Sequence, residues 1–122
     1  MTSFSNVTPI LRIFDEHKAR EFYLEFLGFK IEFEHRFEDG LPLYMGVSHS
    51  GCELHLSEHH GDASPGAHVR IEVDDVDAYC QELAAKKYRF ANPGTGKKTP
   101  WGSHEATITD PFGNKLTFVQ TP

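Results

Sequence analysis

Gly51-Cys-Glu-Leu-His-Leu56 is answered near the end of the chain by Gly113-Asn-Lys-Leu-Thr-Phe118. Each stretch is a glycine followed by an alternating run, the pattern of a strand leaving a tight turn. A second echo lies upstream, where Asp15 and Asp75 each precede a helical stripe. An internal repeat outranks any single window as a fold signal, because each unit must bury its apolar face against the other.

Working outward, the first helix is expected from Glu16 to Leu27, with Ala19, Phe22, Tyr23, Phe26 and Leu27 on one stripe. Asp15 suits its N-cap and Gly28 its C′ position. The second is expected from Val76 to Lys86, with Val76, Tyr79, Cys80, Leu83 and Ala84 in the same spacing, Asp75 as cap, and Lys86–Lys87 at the negative end of the dipole. Strands are expected before the helices, at Pro9–Phe14 and His68–Val73. Three more follow each helix, at Lys30–Phe37, Leu43–Ser48 and Cys52–Ser57, then at Tyr88–Ala91, Glu105–Thr109 and Lys115–Gln120. Turn signals at Glu38-Asp39-Gly40, His49-Ser50-Gly51 and Asp110–Asn114 separate them. The order is β-α-β-β-β twice, joined by the Gly- and Pro-containing linker Glu58–Ala67.

The fold expected is α+β: two tandem βαβββ modules forming a curved mixed sheet, with helices on the convex face. Its 122 residues suit a single domain, 1–122, with module one over 1–60 and module two over 66–122. Apolar residues at 39% and charged residues at 25% are those of a globular chain. No apolar run approaches the ~20 residues of a membrane helix, and Met1–Thr8 lacks a secretory pattern, so a cytoplasmic location without membrane attachment is expected. Cys52 and Cys80 read as small apolar residues. The net charge of −6 disfavours nucleic acid and is compatible with a cationic ligand.

Alternation sends Thr8, Ile10, Arg12, His68, Arg70 and Glu72 of the first strands to the concave face. Glu53, His55, Ser57, Lys115, Thr117 and Val119 of the fourth strands join them. A face buried in a core would be apolar, so this polar set marks either a cleft or a paired salt-bridge surface. Such a concavity is the default ligand site.

At this point a resemblance can be stated. Ala19-Arg-Glu-Phe-Tyr-Leu-Glu-Phe-Leu-Gly-Phe29, Val73-Asp-Asp-Val-Asp-Ala78 and Asp110-Pro-Phe-Gly-Asn114 resemble motifs of the vicinal oxygen chelate superfamily. That group includes glyoxalase I, extradiol dioxygenases, and the fosfomycin- and bleomycin-resistance proteins. Its metal-dependent members place ligands at positions matching Thr8, His55, His68 and Thr117. Only the two histidines are good ligands, whereas a catalytic zinc takes about three. No metal or other cofactor is therefore expected; if one divalent ion binds, His55 and His68 are its candidate ligands.

Within the superfamily, Val7-Thr-Pro-Ile-Leu11 and Thr99-Pro-Trp-Gly102, followed by Glu105 and Asp110-Pro, resemble the bleomycin-resistance proteins. The resemblance implies a metal-free homodimer that holds a cationic glycopeptide in clefts between subunits. A flat cation needs aromatic faces and nearby carboxylates. The candidate ligand-binding residues are Glu32, Phe33, Phe37, Glu53, His55, His68, Arg70, Glu72, Trp101 and Glu105, with no catalytic residue assigned. Phe33 and Trp101 could instead pack in the core or an interface. Two alternatives stand beside drug binding. One is a divalent-metal lyase, isomerase or dioxygenase, with the metal as Lewis acid. The other is a non-catalytic metabolite-binding module holding an anion between Arg12 and Arg70.

Overall fold

A computed structural model describes residues 1–122. The chain runs β1 (Ile10–Arg12), α1 (Glu16–Arg20), β2 (Lys30–His35), β3 (Tyr44–His49), β4 (Cys52–Ser57), β5 (His68–Glu72), α2 (Val76–Ala85), β6 (Lys97–Lys98), β7 (His104–Thr109) and β8 (Lys115–Gln120). The strands form two four-stranded mixed sheets, ordered β1-β4-β3-β2 and β5-β8-β7-β6. In each, the first strand runs parallel to the fourth, and the other pairs are antiparallel. The two tandem modules thus share one topology, and no strand ladder joins their sheets.

The helices start where the aspartates stand. Asp15 accepts from the Lys18 amide and Asp75 from the Ala78 amide, both at 3.0 Å, so each cap satisfies a donor the helix leaves free. α1 runs on directly as a π-helical stretch, Glu21–Phe26, in which the Leu27 amide reaches back to the Phe22 carbonyl. It ends at Gly28, whose φ of 86° needs a residue without Cβ strain.

Leu11, Ile13, Met45, Val47, Leu54 and Leu56 of the first sheet are buried against Phe22, Tyr23 and Phe26. Val76, Leu83, Ile108, Leu116 and Phe118 of the second module belong to the same cluster, so one core serves both halves. Each fully buried Leu or Phe contributes about 1.5–3 kcal/mol. The modules also complete each other's polar groups. The Tyr79 hydroxyl on α2 donates to the Leu27 carbonyl at 2.7 Å, and Lys86 Nζ donates to the carbonyls of Glu25 and Phe26. The Tyr23 hydroxyl donates to the buried Asp110 carboxylate at 2.6 Å.

One expected strand is absent. Tyr88–Ala91 is not extended into the sheet; the edge strand of module two is the two-residue β6 further on. Tyr88 instead stacks on Phe26 with ring centres 4.7 Å apart. Packing against the helix of the other module outweighs the strand propensity of that short run.

Candidate functional site

The inward face of module one is built around a glycine. Gly46 lies opposite Phe33 on β2 and His55 on β4. A Cβ at Gly46 would come within 2.3 Å of a Phe33 ring carbon, so the missing side chain is the seat on which that ring rests. Phe33 lies nearly parallel to Tyr44, at 14° and 6.1 Å, and meets the His55 ring edge-on at 5.2 Å. It remains 41% exposed, an aromatic surface open to a ligand. Both ring nitrogens of His55 are engaged, with the Tyr44 hydroxyl 2.7 Å from Nδ1 and Glu53 2.7 Å from Nε2. A neutral His55 satisfies both by accepting at Nδ1 and donating at Nε2.

Strict alternation would put Glu32 and Phe33 on opposite faces. The register of β2 against β3 shifts between Ile31 and Phe33. A bulge of this sort re-aims side chains. The Ser48 hydroxyl donates to Glu32 at 2.5 Å while Phe33 covers Gly46, so both reach the inward side. The Ser48 hydrogen bond and Lys30 hold the Glu32 carboxyl below its ordinary range.

In module two, Glu105 takes the position that Tyr44 takes in module one; the first pairs with Val119, the second with the equivalent Ser57. Its carboxylate accepts two bonds from Arg70, at 3.2 and 2.9 Å, one from the Ser103 hydroxyl at 2.6 Å and one from Trp101 Nε1 at 3.2 Å. These donors, Arg70 foremost, lower its pKa to about 2. His68 Nε2 lies 2.6 Å from the Thr117 hydroxyl.

A groove of about 840 Å³ runs between β4 and β5, walled on one side by Asn6–Pro9, and Glu53, His68, Arg70 and Glu72 line it together. Most of the expected residues therefore fall into one connected set. Phe33, His55 and Glu53 touch in sequence, Glu53 shares the groove with His68, Arg70 and Glu72, and Arg70 leads through Glu105 to Trp101. Phe37 stands apart, stacked edge-on against His35 and His59. Arg12 does not join Arg70. It lies over the Phe14 ring at 4.5 Å and lines a separate cavity with Glu16, Arg36 and Glu58. An anion held between Arg12 and Arg70 is thus not what the geometry offers. Tyr44, Gly46 and Ser48 belong to the site and were not singled out from sequence, although alternation along Leu43–Ser48 already turns them inward. Nowhere does the chain gather three or more His, Cys, Asp or Glu side chains placed to hold a metal ion, and no helix is long and apolar enough to cross a membrane.

A family model described as glyoxalase superfamily protein matches residues 1–121. The chain belongs to the glyoxalase superfamily. Among solved members of similar structure is an antibiotic-binding protein from Streptomyces sp. CB03234, at 28% identity and a TM-score of 0.80, with all of both chains covered. A bleomycin-binding protein from bleomycin-producing Streptomyces verticillus, solved with copper(II)-bleomycin, matches at 28% identity and a TM-score of 0.75, covering 100% of this chain and 99% of its own. A glyoxalase/bleomycin resistance protein from Streptomyces sp. CB03234 matches at 29% identity and 0.75, covering 95% of this chain and 100% of its own. No curated protein matches in sequence. The glyoxalase-superfamily fold alone hosts both catalysts and binders, so function must be argued from the site.

Proposed function

We propose that this chain is a binding protein of the bleomycin-resistance type, which sequesters a flat, cationic small molecule without catalysing a reaction on it. One observation carries the reading. Arg70 spends its charge on Glu105, which leaves Glu53 and Glu72 as acidic groups in the groove, and Glu53 meets His55, against which the exposed Phe33 ring packs. A positively charged ring system finds there both a stacking surface and carboxylates. The relatives at 28% identity that bind an antibiotic or bleomycin support the same ligand class.

Binding of this kind needs no protein-bound metal. His55 gives both nitrogens to Tyr44 and Glu53, and His68 gives Nε2 to Thr117. Exposed Phe33 and Trp101 leave the inward face incomplete in one copy. A second copy would cover it, making the cleft a dimer feature.

Isothermal titration of the purified protein with bleomycin is the test. A saturable heat that Phe33→Ala removes is expected, together with a dimer by light scattering. No heat at high micromolar drug would reject sequestration of this ligand.

A further inference from the structure

Another cavity, about 280 Å³, lies where the two modules meet, between the turn joining β3 to β4, the end of β5 and the start of α2. It borders the groove described above through Cys52, Ile71 and Glu72, and its remaining walls are its own. What it can hold is therefore independent of the drug-binding reading.

The base of this cavity is aromatic. Phe29 and Phe118 are buried there, and Tyr79 of α2 is half-buried. Tyr79 meets Phe118 edge-on at 4.9 Å, and the His49 ring joins Tyr79 to Phe29, at 6.1 and 5.6 Å. The bond from the Tyr79 hydroxyl to the Leu27 carbonyl holds its ring at the wall.

The mouth is acidic. Glu72, Asp74 and Asp75 line it and are all exposed, whereas no Lys or Arg side chain does. Asp75 spends one oxygen on the Ala78 amide. Glu72 and Asp74 enter no ion pair. The Lys86 ammonium comes near His49, bonded to the carbonyls of Glu25 and Phe26. Even with Lys86 and a protonated His49 set against them, the three carboxylates remain in excess.

The repeat shows that the fold does not require these acids. With Asp15 matched to Asp75, the counterparts of Glu72 and Asp74 in module one are Arg12 and Phe14. Module two alone places two unpaired carboxylates over an aromatic base. Aromatic faces attract a cation, and carboxylates accept its N–H bonds. An anion would be repelled here, and a neutral guest would gain nothing from the acids. The volume suits one small ring, since a cavity on the order of 150 Å³ admits benzene.

We propose that this cavity binds a small primary ammonium carrying an apolar arm, the arm against Phe29, Tyr79 and Phe118 and the ammonium at Glu72 and Asp74. The test is a ¹H–¹⁵N NMR titration of the full chain with benzylammonium, neutral benzyl alcohol and methylammonium. Benzylammonium is expected to saturate shifts at the His49, Asp74 and Tyr79 amides. It should bind about tenfold tighter than either other probe, since each lacks one half of the recognition. Asp74→Asn should erase most of the advantage over benzyl alcohol. Asp74 is exposed and unpaired, so an amide spectrum unchanged away from the substitution will show that the variant folds. The two sites separate cleanly: Asp74→Asn should leave any heat with bleomycin unchanged, and Phe33→Ala should leave benzylammonium binding unchanged. Equal affinity for benzylammonium and benzyl alcohol, shifts confined to the Phe33–His55 face, wild-type binding by Asp74→Asn, or no saturation at millimolar benzylammonium would each overturn the proposal.

Discussion

The Phe33 ring occupies the space that a side chain on Gly46 would fill. The strand β3 therefore gives up side-chain packing at its centre so that its neighbour's ring can lie flat beside Tyr44 and His55. Gly46→Ala should push the ring off this seat. Phe33 is half-exposed and can swing away, so the cost should be modest, about 1–2 kcal/mol of overpacking strain. That corresponds to a melting point lower by about 4–8 °C in a chain of this size. In a Phe33→Ala background the same change should be nearly neutral, a coupling that a double-mutant thermal melt reads directly.

Glu105 links Arg70 to the chain's only tryptophan. Its pKa is depressed from an ordinary 4.5 to about 2. The stability it adds is whole above about 4.5 and is lost as pH falls toward 2. Urea midpoints of the wild type should therefore drop more steeply than those of Glu105→Gln across that window. Trp101 fluorescence should change with a midpoint near 2 in the wild type only. A flat fluorescence profile there would mean the carboxylate does not hold the indole.

Tyr23→Phe removes the hydroxyl that bridges the helix of module one to the Asp110 turn of module two. Asp110 keeps three donors but loses a buried partner, and burying an under-satisfied carboxylate costs about 1–3 kcal/mol. The loss should appear as a lower urea midpoint at pH 7 with an unchanged slope. No shift would show that the aspartate is satisfied by Asn114 and the backbone alone.

Lys86→Met should cost about 1 kcal/mol, because its ammonium caps two carbonyls at the negative end of the helix in the other module. Hydrogen exchange offers the sharper measurement. Protection should fall at Phe26 and Leu27, far along the sequence from the substitution, and not along α2 itself.

The sequence carried the repeat plainly because glycine, aspartate and alternation are local signals. Asp15 and Asp75 cap their helices as their position implied, and Gly28 turns through positive φ. What it could not carry was set by distant partners. The bulge that turns both Glu32 and Phe33 inward depends on the register with Gly46. The partner of Arg70 proved to be Glu105, reached diagonally across the sheet, where Glu53 and Glu72 had the stronger claim by alternation. Tyr88–Ala91 has the composition of a strand and is drawn away by an aromatic ring of the opposite half. The joining of Glu53, His68, Arg70 and Glu72 in one groove follows from strand parity, and so could be foreseen residue by residue.

The hydroxyl of Tyr79 and the ammonium of Lys86 finish a helix that their own half does not contain. Duplicated units in a simple array are interchangeable; these two have become dependants. Severing the peptide backbone anywhere in Glu58–Ala67 should yield a pair of fragments that stay unstructured in isolation and regain order only on mixing.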